Sequence, residues 1–155
     1  MKRLKKVKGK CCSLLWKIVL FGVIFAAISQ IIHNICAFLG MNYYTDPKYF
    51  ALWSKIMMPA QAAPGFGFYL YALFFAFVSG MLFALVFTVV KKGVPFKGIK
   101  KGIAYALLVF LIATVPNSLA TILTLAIPYC LVALWVIEAL VIYLLTGIVL
   151  AKMFR

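Results

Sequence analysis

The chain has 155 residues, of which 67% are hydrophobic and 12% are charged. A soluble domain carries about 25% charged residues, so this composition leaves too little polar surface to cover the apolar bulk. A mean hydropathy of +1.14 excludes an ordinary water-soluble globule, and the composition also excludes a disordered chain, a collagen and a disulfide scaffold. The sequence therefore predicts an integral membrane protein.

Four continuous apolar segments are long enough to cross a bilayer core, which takes about 20 helical residues. A transmembrane strand needs only about 10 alternating residues, so these runs are predicted to be helices. The predicted fold class is all-α: a polytopic membrane protein, with four transmembrane helices in an antiparallel bundle that forms a single domain, 1–155. Pro128 alone separates the last two segments, which predicts a tight hairpin. The predicted spans are 18–39, 68–90, 103–127 and 129–151.

The basic residues are distributed unevenly between the two sides of the predicted bundle. The N-terminus 1–17, the loop 91–102 and the C-terminal end carry 14 of the 16 cations, whereas the loop 40–67 carries Lys48 and Lys55. Because Lys and Arg beside short loops stay in the cytoplasm, both termini are expected there. A signal peptide is the alternative for the N-terminus, but the first apolar run exceeds the roughly 7 to 15 residues of an h-region.

The net charge of +14 has two interpretations. In a soluble protein it would suggest a nucleic-acid partner, but no base-stacking aromatic motif accompanies these cations, so none is predicted. Cations at helix ends also contact anionic lipid headgroups, and the lipid bilayer is the expected partner. Short loops and the absence of glycosylation sequons favour the plasma membrane of a prokaryote.

The outer loop 40–67 is expected to contain a short amphipathic helix at about 47–58. Asp46 can cap this helix, Pro47 suits its first position, and apolar residues then recur at helical spacing. The pattern predicts a helix lying in the outer interface, held at headgroup level by aromatic side chains. A lid over a binding site is the alternative. The predicted anchors are Tyr43, Tyr44 and Trp53.

The four cysteines have no C-x-x-C spacing, so the sequence predicts no zinc site, no redox pair and no other cofactor. Cys11 and Cys12 lie at the inner boundary, where free thiols are favoured over acylation. Cys36 and Cys130 both lie near the outer ends of their spans. A disulfide between them is geometrically conceivable, although ordinary small apolar residues are the favoured interpretation.

Polar side chains within the predicted spans carry most of the functional information, because they are costly in hydrocarbon. Each span places one of them near the bilayer midplane when depth is counted at about 1.5 Å per residue. Glu138 is the only acid in a span, and we expect it to face the bundle and to bond to Asn117, Gln30 or His33. The candidate site is Glu138, Asn117, Gln30, His33 and Ser79.

This cluster has a functional and a structural interpretation. Functionally, Glu138 would form a proton or cation site, or an anchor for a cationic solute. Structurally, it would clamp neighbouring helices through hydrogen bonds. One Glu and one His on separate helices form no convincing catalytic constellation, so an enzyme is not predicted.

Two further features concern helix shape and packing. Pro116 lacks the amide that would bond to the carbonyl of Ile112, so a kink or local unwinding is predicted in the third span. Freed carbonyls there could coordinate a ligand, or neighbouring hydroxyls could satisfy them. Small residues at every fourth position of the second span predict a close approach of another helix, from this chain or from a second copy. This ridge is Ala72, Ala76, Gly80 and Ala84.

Several short stretches, mainly in spans two to four, carry a resemblance to known proteins: 97–102, 104–106, 115–118, 127–128, Trp135 and 143–147. Together they resemble a loose class of small prokaryotic four-span membrane proteins. The resemblance implies no established activity and no catalytic residues.

The favoured function is a structural, assembly or accessory subunit of a membrane complex or homo-oligomer. The alternative is a transporter or channel for a small solute, cation or proton, centred on Glu138.

Overall fold

The computed structural model describes residues 2–53, 57 and 64–154, with side chains from residue 13 onward. Every regular element in this part of the chain is helical. A π-helical turn, Phe110–Thr114, lies between α4 and α5, and a 3₁₀ helix, Pro47–Leu52, follows α2. The α-helices are α1 (Lys2–Leu39), α2 (Met41–Tyr44), α3 (Phe66–Val90), α4 (Ile99–Val109), α5 (Val115–Thr124) and α6 (Tyr129–Met153).

Four helical stretches are long and apolar enough to cross a membrane, which confirms the all-helical class and is compatible with a membrane protein. The third differs most from its predicted bounds, because it starts at Ile99 and ends at Thr124. Leu125 is extended, and Pro128 has no amide to bond to the carbonyl of Thr124, so the helix stops there. The first to fourth spans are Ser13–Leu39, Phe66–Val90, Ile99–Thr124 and Tyr129–Met153.

The first span packs against the second and the fourth, and the third packs against the fourth. Gly80 makes the closest approach between the first two, since a Cβ there would overlap the side chain of Phe25. Gly80 and Ala84 are buried, whereas Ala72 and Ala76 are half-buried. The tight helix contact therefore uses one half of the small-residue ridge predicted from the sequence.

The two ends of the bundle differ in chemistry. At one end, the Lys17 ammonium donates to the carbonyl of Met153 at 3.1 Å, and the Lys101 ammonium donates to the carbonyl of Lys91 at 2.9 Å. We call this the lysine end. The other end carries α2 and the 3₁₀ helix, and we call it the loop end.

An aromatic cluster fills the interior between the middle of the bundle and the lysine end. The Phe83 ring is stacked on Tyr143 at 5.5 Å and lies 4.7 Å from the Tyr105 ring. The Tyr105 hydroxyl donates to the carbonyl of Phe83 at 2.8 Å. The cluster consists of Phe21, Phe25, Phe83, Phe87, Tyr105 and Tyr143.

The helix around Pro116 departs from regular α geometry. The π-helical turn ends at Thr114, two residues before Pro116, and Pro116 can offer no amide to the carbonyl of Ile112. Ser118 Oγ donates to the carbonyl of Thr114 at 2.8 Å. This hydroxyl bonds to the carbonyl of Thr114, whereas Pro116 frees the carbonyl of Ile112, so both alternatives considered from the sequence stay predictions. The bend at Pro116 itself stays a prediction.

The 3₁₀ helix begins with the cap expected from the sequence. The Lys48 amide donates to Asp46 Oδ1 at 2.9 Å, and Pro47 occupies the first turn. The element is shorter than the predicted helix 47–58 and has 3₁₀ geometry, because the chain turns extended at Trp53. Residues 54–56 and 58–63 lie outside the described part of the chain, and a location in the membrane interface stays a prediction.

Candidate functional site

The central contact of the candidate site joins the first span to the fourth. His33 Nδ1 lies 2.9 Å from Glu138 Oε1, which is hydrogen-bond distance and forms an ion pair when the imidazole is protonated. The Glu138 side chain is 11% exposed and the His33 side chain is 39% exposed, so the carboxylate is the more deeply buried partner. Of the three partners considered for Glu138 from the sequence, the structure places His33 in contact.

The other three candidate residues do not join this pair through hydrogen bonds. Gln30 Nε2 lies 3.5 Å from Asn34 Oδ1 on the same helix. Asn117 and Ser79 are exposed, and neither side chain bonds to any residue that the structure describes. Ser79 lines a separate cavity together with Tyr105 and Tyr143. The polar contact at the middle of the bundle is therefore a pair, where the sequence predicted one larger cluster.

The π-helical turn explains why Asn117 lies elsewhere. The prediction placed Asn117 by its depth along the third span, and depth gives the height of a side chain but not the face of the helix on which it lies. A π-helical turn contains one residue more than an α-helical turn. The residues that follow it are therefore rotated by about 100° around the helix axis, compared with their positions in a continuous α-helix. Asn117 follows the turn and is exposed.

A cavity of about 290 Å³ lies beside the His33–Glu138 pair. It is open on one side and is lined by the first, second and fourth spans together with Trp53 and Met57. A second cavity of about 110 Å³ shares four of its lining residues and therefore adjoins it. We call the larger space the loop-end cavity. Its principal lining residues are His33, Tyr44, Trp53, Phe68, Trp135 and Glu138.

Hydrogen bonding and ring packing hold the aromatic wall of this cavity together. Trp135 Nε1 donates to the Tyr44 hydroxyl at 2.7 Å, and the Tyr44 and Trp53 rings lie 5.1 Å apart. Burial raises the pKa of Tyr44, so its hydroxyl stays protonated at neutral pH. Tyr44 is buried and Tyr43 and Trp53 are half-buried. Two of the three predicted interfacial anchors, Tyr44 and Trp53, thus line the cavity.

Several polar atoms around the loop-end cavity keep unused hydrogen-bonding capacity. Trp53 Nε1 is buried and has no acceptor among the described residues. The Tyr44 hydroxyl accepts a hydrogen bond from Trp135, but no residue that the structure describes accepts a hydrogen bond from the Tyr44 hydroxyl. Glu138 bonds to His33 through Oε1, and nothing in the described chain donates to Oε2. The site thus offers two donors and one carboxylate oxygen to a ligand.

Sequence reasoning did not assign Trp135 or Phe68 to the site. A signal for Trp135 was present, because it precedes Glu138 by three residues and therefore shares its face of α6. Phe68 offered no such signal, since it lies among many aromatic residues at the start of α3. Its role depends on how the second span packs against the first.

The cysteines and other metal-ligating residues form no further site in the described ranges. No three His, Cys, Asp or Glu side chains come together there, and Cys36 and Cys130 are both free thiols. The disulfide considered from the sequence is therefore not formed. The Cys11 and Cys12 side chains lie outside the described side chains.

Comparisons with family models, with curated proteins and with solved structures found no match. The chemistry of the loop-end cavity is therefore inferred from its own geometry.

Proposed function

We propose that this chain is a four-span membrane protein that binds a small organic cation in the loop-end cavity, as a transporter or receptor subunit would. The observation that carries the proposal is the position of Glu138, the single acid in the spans, buried beside an aromatic cavity. A buried carboxylate is costly unless a positive group accompanies it. His33 supplies that partner at one oxygen, and a cationic ligand would supply it at the other.

The aromatic wall favours the same class of ligand. An ammonium group over the face of a Trp, Tyr or Phe ring gains about 0.5 to 2 kcal/mol, depending on desolvation. Four such rings line the cavity, from Tyr44, Trp53, Phe68 and Trp135. The Trp53 indole N–H and the Tyr44 hydroxyl would donate to an oxygen on the ligand. A small ammonium compound that also carries an oxygen acceptor fits these groups best.

His33 would couple ligand binding to a proton. A cation beside Glu138 repels a protonated imidazole 2.9 Å from the same carboxylate, so the ligand and the imidazole proton compete. Binding of the cation would therefore release a proton from His33 over the pH range in which this imidazole titrates. Such competition is the simplest form of proton coupling that this pair of residues offers.

An antiparallel bundle with its lysine end in the cytoplasm would expose the loop-end cavity to the outside. Contacts between the first and fourth spans support the antiparallel arrangement, because rising residue numbers in one meet falling numbers in the other. The distribution of lysines supports the orientation, and the apolar outer surface of the spans supports a lipid surrounding. The 3₁₀ helix would then lie at the outer interface of a plasma membrane. The paired contacts are Lys17 with Met153, Phe25 with Tyr143 and His33 with Glu138.

A structural or accessory subunit is the second candidate. The observation that favours it is the same His33–Glu138 bond, which ties the first span to the fourth across 105 positions of sequence. In that function the pair would act only as a clamp between helices, and the cavity would stay empty or hold lipid. The two functions differ in what the Glu138 charge does, so one substitution separates them.

Tryptophan fluorescence provides the test. The chain has three tryptophans, and Trp16→Phe leaves Trp53 and Trp135, both in the cavity wall, as reporters. The purified protein in neutral detergent is titrated with choline and, in parallel, with 3,3-dimethylbutanol, which has the same shape without the charge. We expect a saturable change in emission with choline only. Glu138→Gln, which keeps a hydrogen-bond acceptor for His33, is expected to weaken choline binding at least tenfold.

The matched control is Asp46→Asn, which removes the only other acidic charge without touching the cavity. It is expected to leave choline binding unchanged. Equal responses to choline and to the neutral alcohol, or equal losses in both variants, contradict the proposed cation site. A clamp function predicts no choline response in any protein and a lower melting temperature for Glu138→Gln than for Asp46→Asn.

A further inference from the structure

A separate cavity of about 320 Å³ lies at the lysine end and takes no part in the proposed cation site. Four lysines and two aromatic rings form most of its wall. Lys91 and Lys92 follow the end of α3, Lys97 belongs to the connecting loop, and Lys101 lies in the first turn of α4. We call this space the lysine cavity. Its rings are Phe87 and Phe154.

No acidic side chain balances the lysines of this cavity. The chain has two acidic residues, and both are engaged elsewhere: Asp46 caps the 3₁₀ helix and Glu138 bonds to His33. The ammonium of Lys101 is fixed by its bond to the carbonyl of Lys91, which leaves two of its three N–H groups free. Four neighbouring cations with no acidic side chain among them favour an anion in the space between them.

The backbone at the cavity adds to its positive potential. Gly98 precedes the first residue of α4, and no side chain caps this helix end, so its first amides lack a side-chain acceptor. Gly98 has φ 59° and ψ −139°, a conformation that residues with a Cβ rarely adopt. The Lys101 amide donates to the carbonyl of Gly98 at 3.1 Å, and both residues line the cavity, so the N-terminus of α4 lies beside the lysine side chains.

We infer that the lysine cavity binds a phosphate group. Lysine side chains and helix N-terminal amides are both common ligands of phosphate oxygens in proteins. Phe87 and Phe154 provide an apolar wall beside the cations, which suits a phosphate ester with an apolar arm. An anionic phospholipid headgroup and a free phosphate share this chemistry, and the two sources are distinguished by experiment. This inference does not depend on the proposed cation site.

Calorimetric titration of the full chain in neutral detergent provides the test. Three probes are used: dihexanoyl phosphatidylglycerol, inorganic phosphate, and dihexanoylglycerol, which has the same acyl chains without the phosphate. We expect binding of the first or of the first two, and none of the third. Binding of phosphatidylglycerol alone identifies a lipid headgroup as the source, whereas equal binding of inorganic phosphate identifies a soluble one.

A matched pair of double variants tests the location. Lys92→Gln with Lys97→Gln removes two cations from the cavity wall, and each loss is expected to weaken phosphate binding about tenfold, as for one charge-assisted hydrogen bond. Lys100→Gln with Lys152→Gln removes two exposed cations that do not line the cavity. This variant is expected to change the affinity for phosphate less than about threefold, because salt screens the effect of distant exposed charges. All four side chains are exposed, so both variants should keep the melting temperature of the parent protein.

Three results would overturn the inference. The first is an equal loss of affinity in the two double variants, which would show that general positive charge, and no defined cavity, attracts the anion. The second is the absence of binding by both phosphate probes to the parent protein. The third is binding of dihexanoylglycerol as strong as that of phosphatidylglycerol.

Discussion

Gly102 of α4 faces Gly147 of α6 at the closest approach of the third and fourth spans. A Cβ added at Gly147 would lie 2.7 Å from the carbonyl oxygen of Gly102, and one added at Gly102 would overlap the carbonyl of Gly147. Ala106 and Ala151 continue this contact, and both are buried. The two backbones touch because neither glycine has a side chain, a type of helix packing common between membrane helices.

Gly102→Ala is expected to destabilise the protein by about 1 to 3 kcal/mol, since the added methyl group must push the two helices apart. Thermal unfolding in mild detergent measures the change. Gly67→Ala serves as the control, because nothing lies within 4 Å of a Cβ at that position. An unchanged melting temperature for Gly102→Ala would contradict the close contact.

Tyr105→Phe is expected to cost about 1 kcal/mol, because it removes the buried hydrogen bond to the carbonyl of Phe83 and keeps the ring. The melting temperature in detergent again reports the effect. Tyr71→Phe is the matched control, since the Tyr71 hydroxyl bonds to no described residue and its side chain is exposed. Equal melting temperatures for the two variants would show that the hydroxyl of Tyr105 has no stabilising role.

Tyr44→Phe is expected to loosen the chain between α2 and the 3₁₀ helix, because it leaves the indole N–H of Trp135 without its acceptor. Hydrogen exchange measures this effect, as faster exchange of the amides in 41–53. Tyr49→Phe keeps the ring beneath the Lys48 ammonium and removes a hydroxyl that bonds to no described residue. Its exchange pattern should match that of the parent protein, and faster exchange in this variant alone would refute the proposed role of Tyr44.

Labelling of single cysteines tests the orientation. In a background with the four native cysteines replaced by serine, Lys48→Cys and Lys92→Cys place exposed thiols at the loop end and the lysine end. An impermeant maleimide applied to intact cells is expected to label only the first, because cytoplasmic loops retain the excess of lysines. Permeabilised cells should show both labels. Labelling of Lys92→Cys in intact cells would reverse the proposed topology.

The spans were predictable because each is a continuous apolar run, and length alone then distinguishes a membrane helix from a strand. The contact of Glu138 with His33 was one of three options, since charge and depth select a set of partners but not a rotation of the helices. Asn117 was placed with them by depth alone, and the π-helical turn before Pro116 changes the face of the helix on which it lies.

The aromatic wall of the loop-end cavity was less accessible to sequence reasoning. Tyr44 and Trp53 suit a membrane interface and a cavity wall equally well, because each ring has an apolar body and a polar tip. Only the packing of α2 and the 3₁₀ helix against α6 decides between these positions. The 3₁₀ geometry was also hidden, since apolar residues three apart fit both kinds of helix.

The stacked rings of Phe83 and Tyr143, with Tyr105 beside them, lie between the loop-end cavity and the lysine cavity. An ion that entered from the loop end would meet this layer of packed aromatic rings. We therefore expect vesicles that contain the protein to be impermeable to ions in the absence of a ligand. Any current or flux would require these three rings to separate first, so their movement, and not the binding site, would set the rate of leakage.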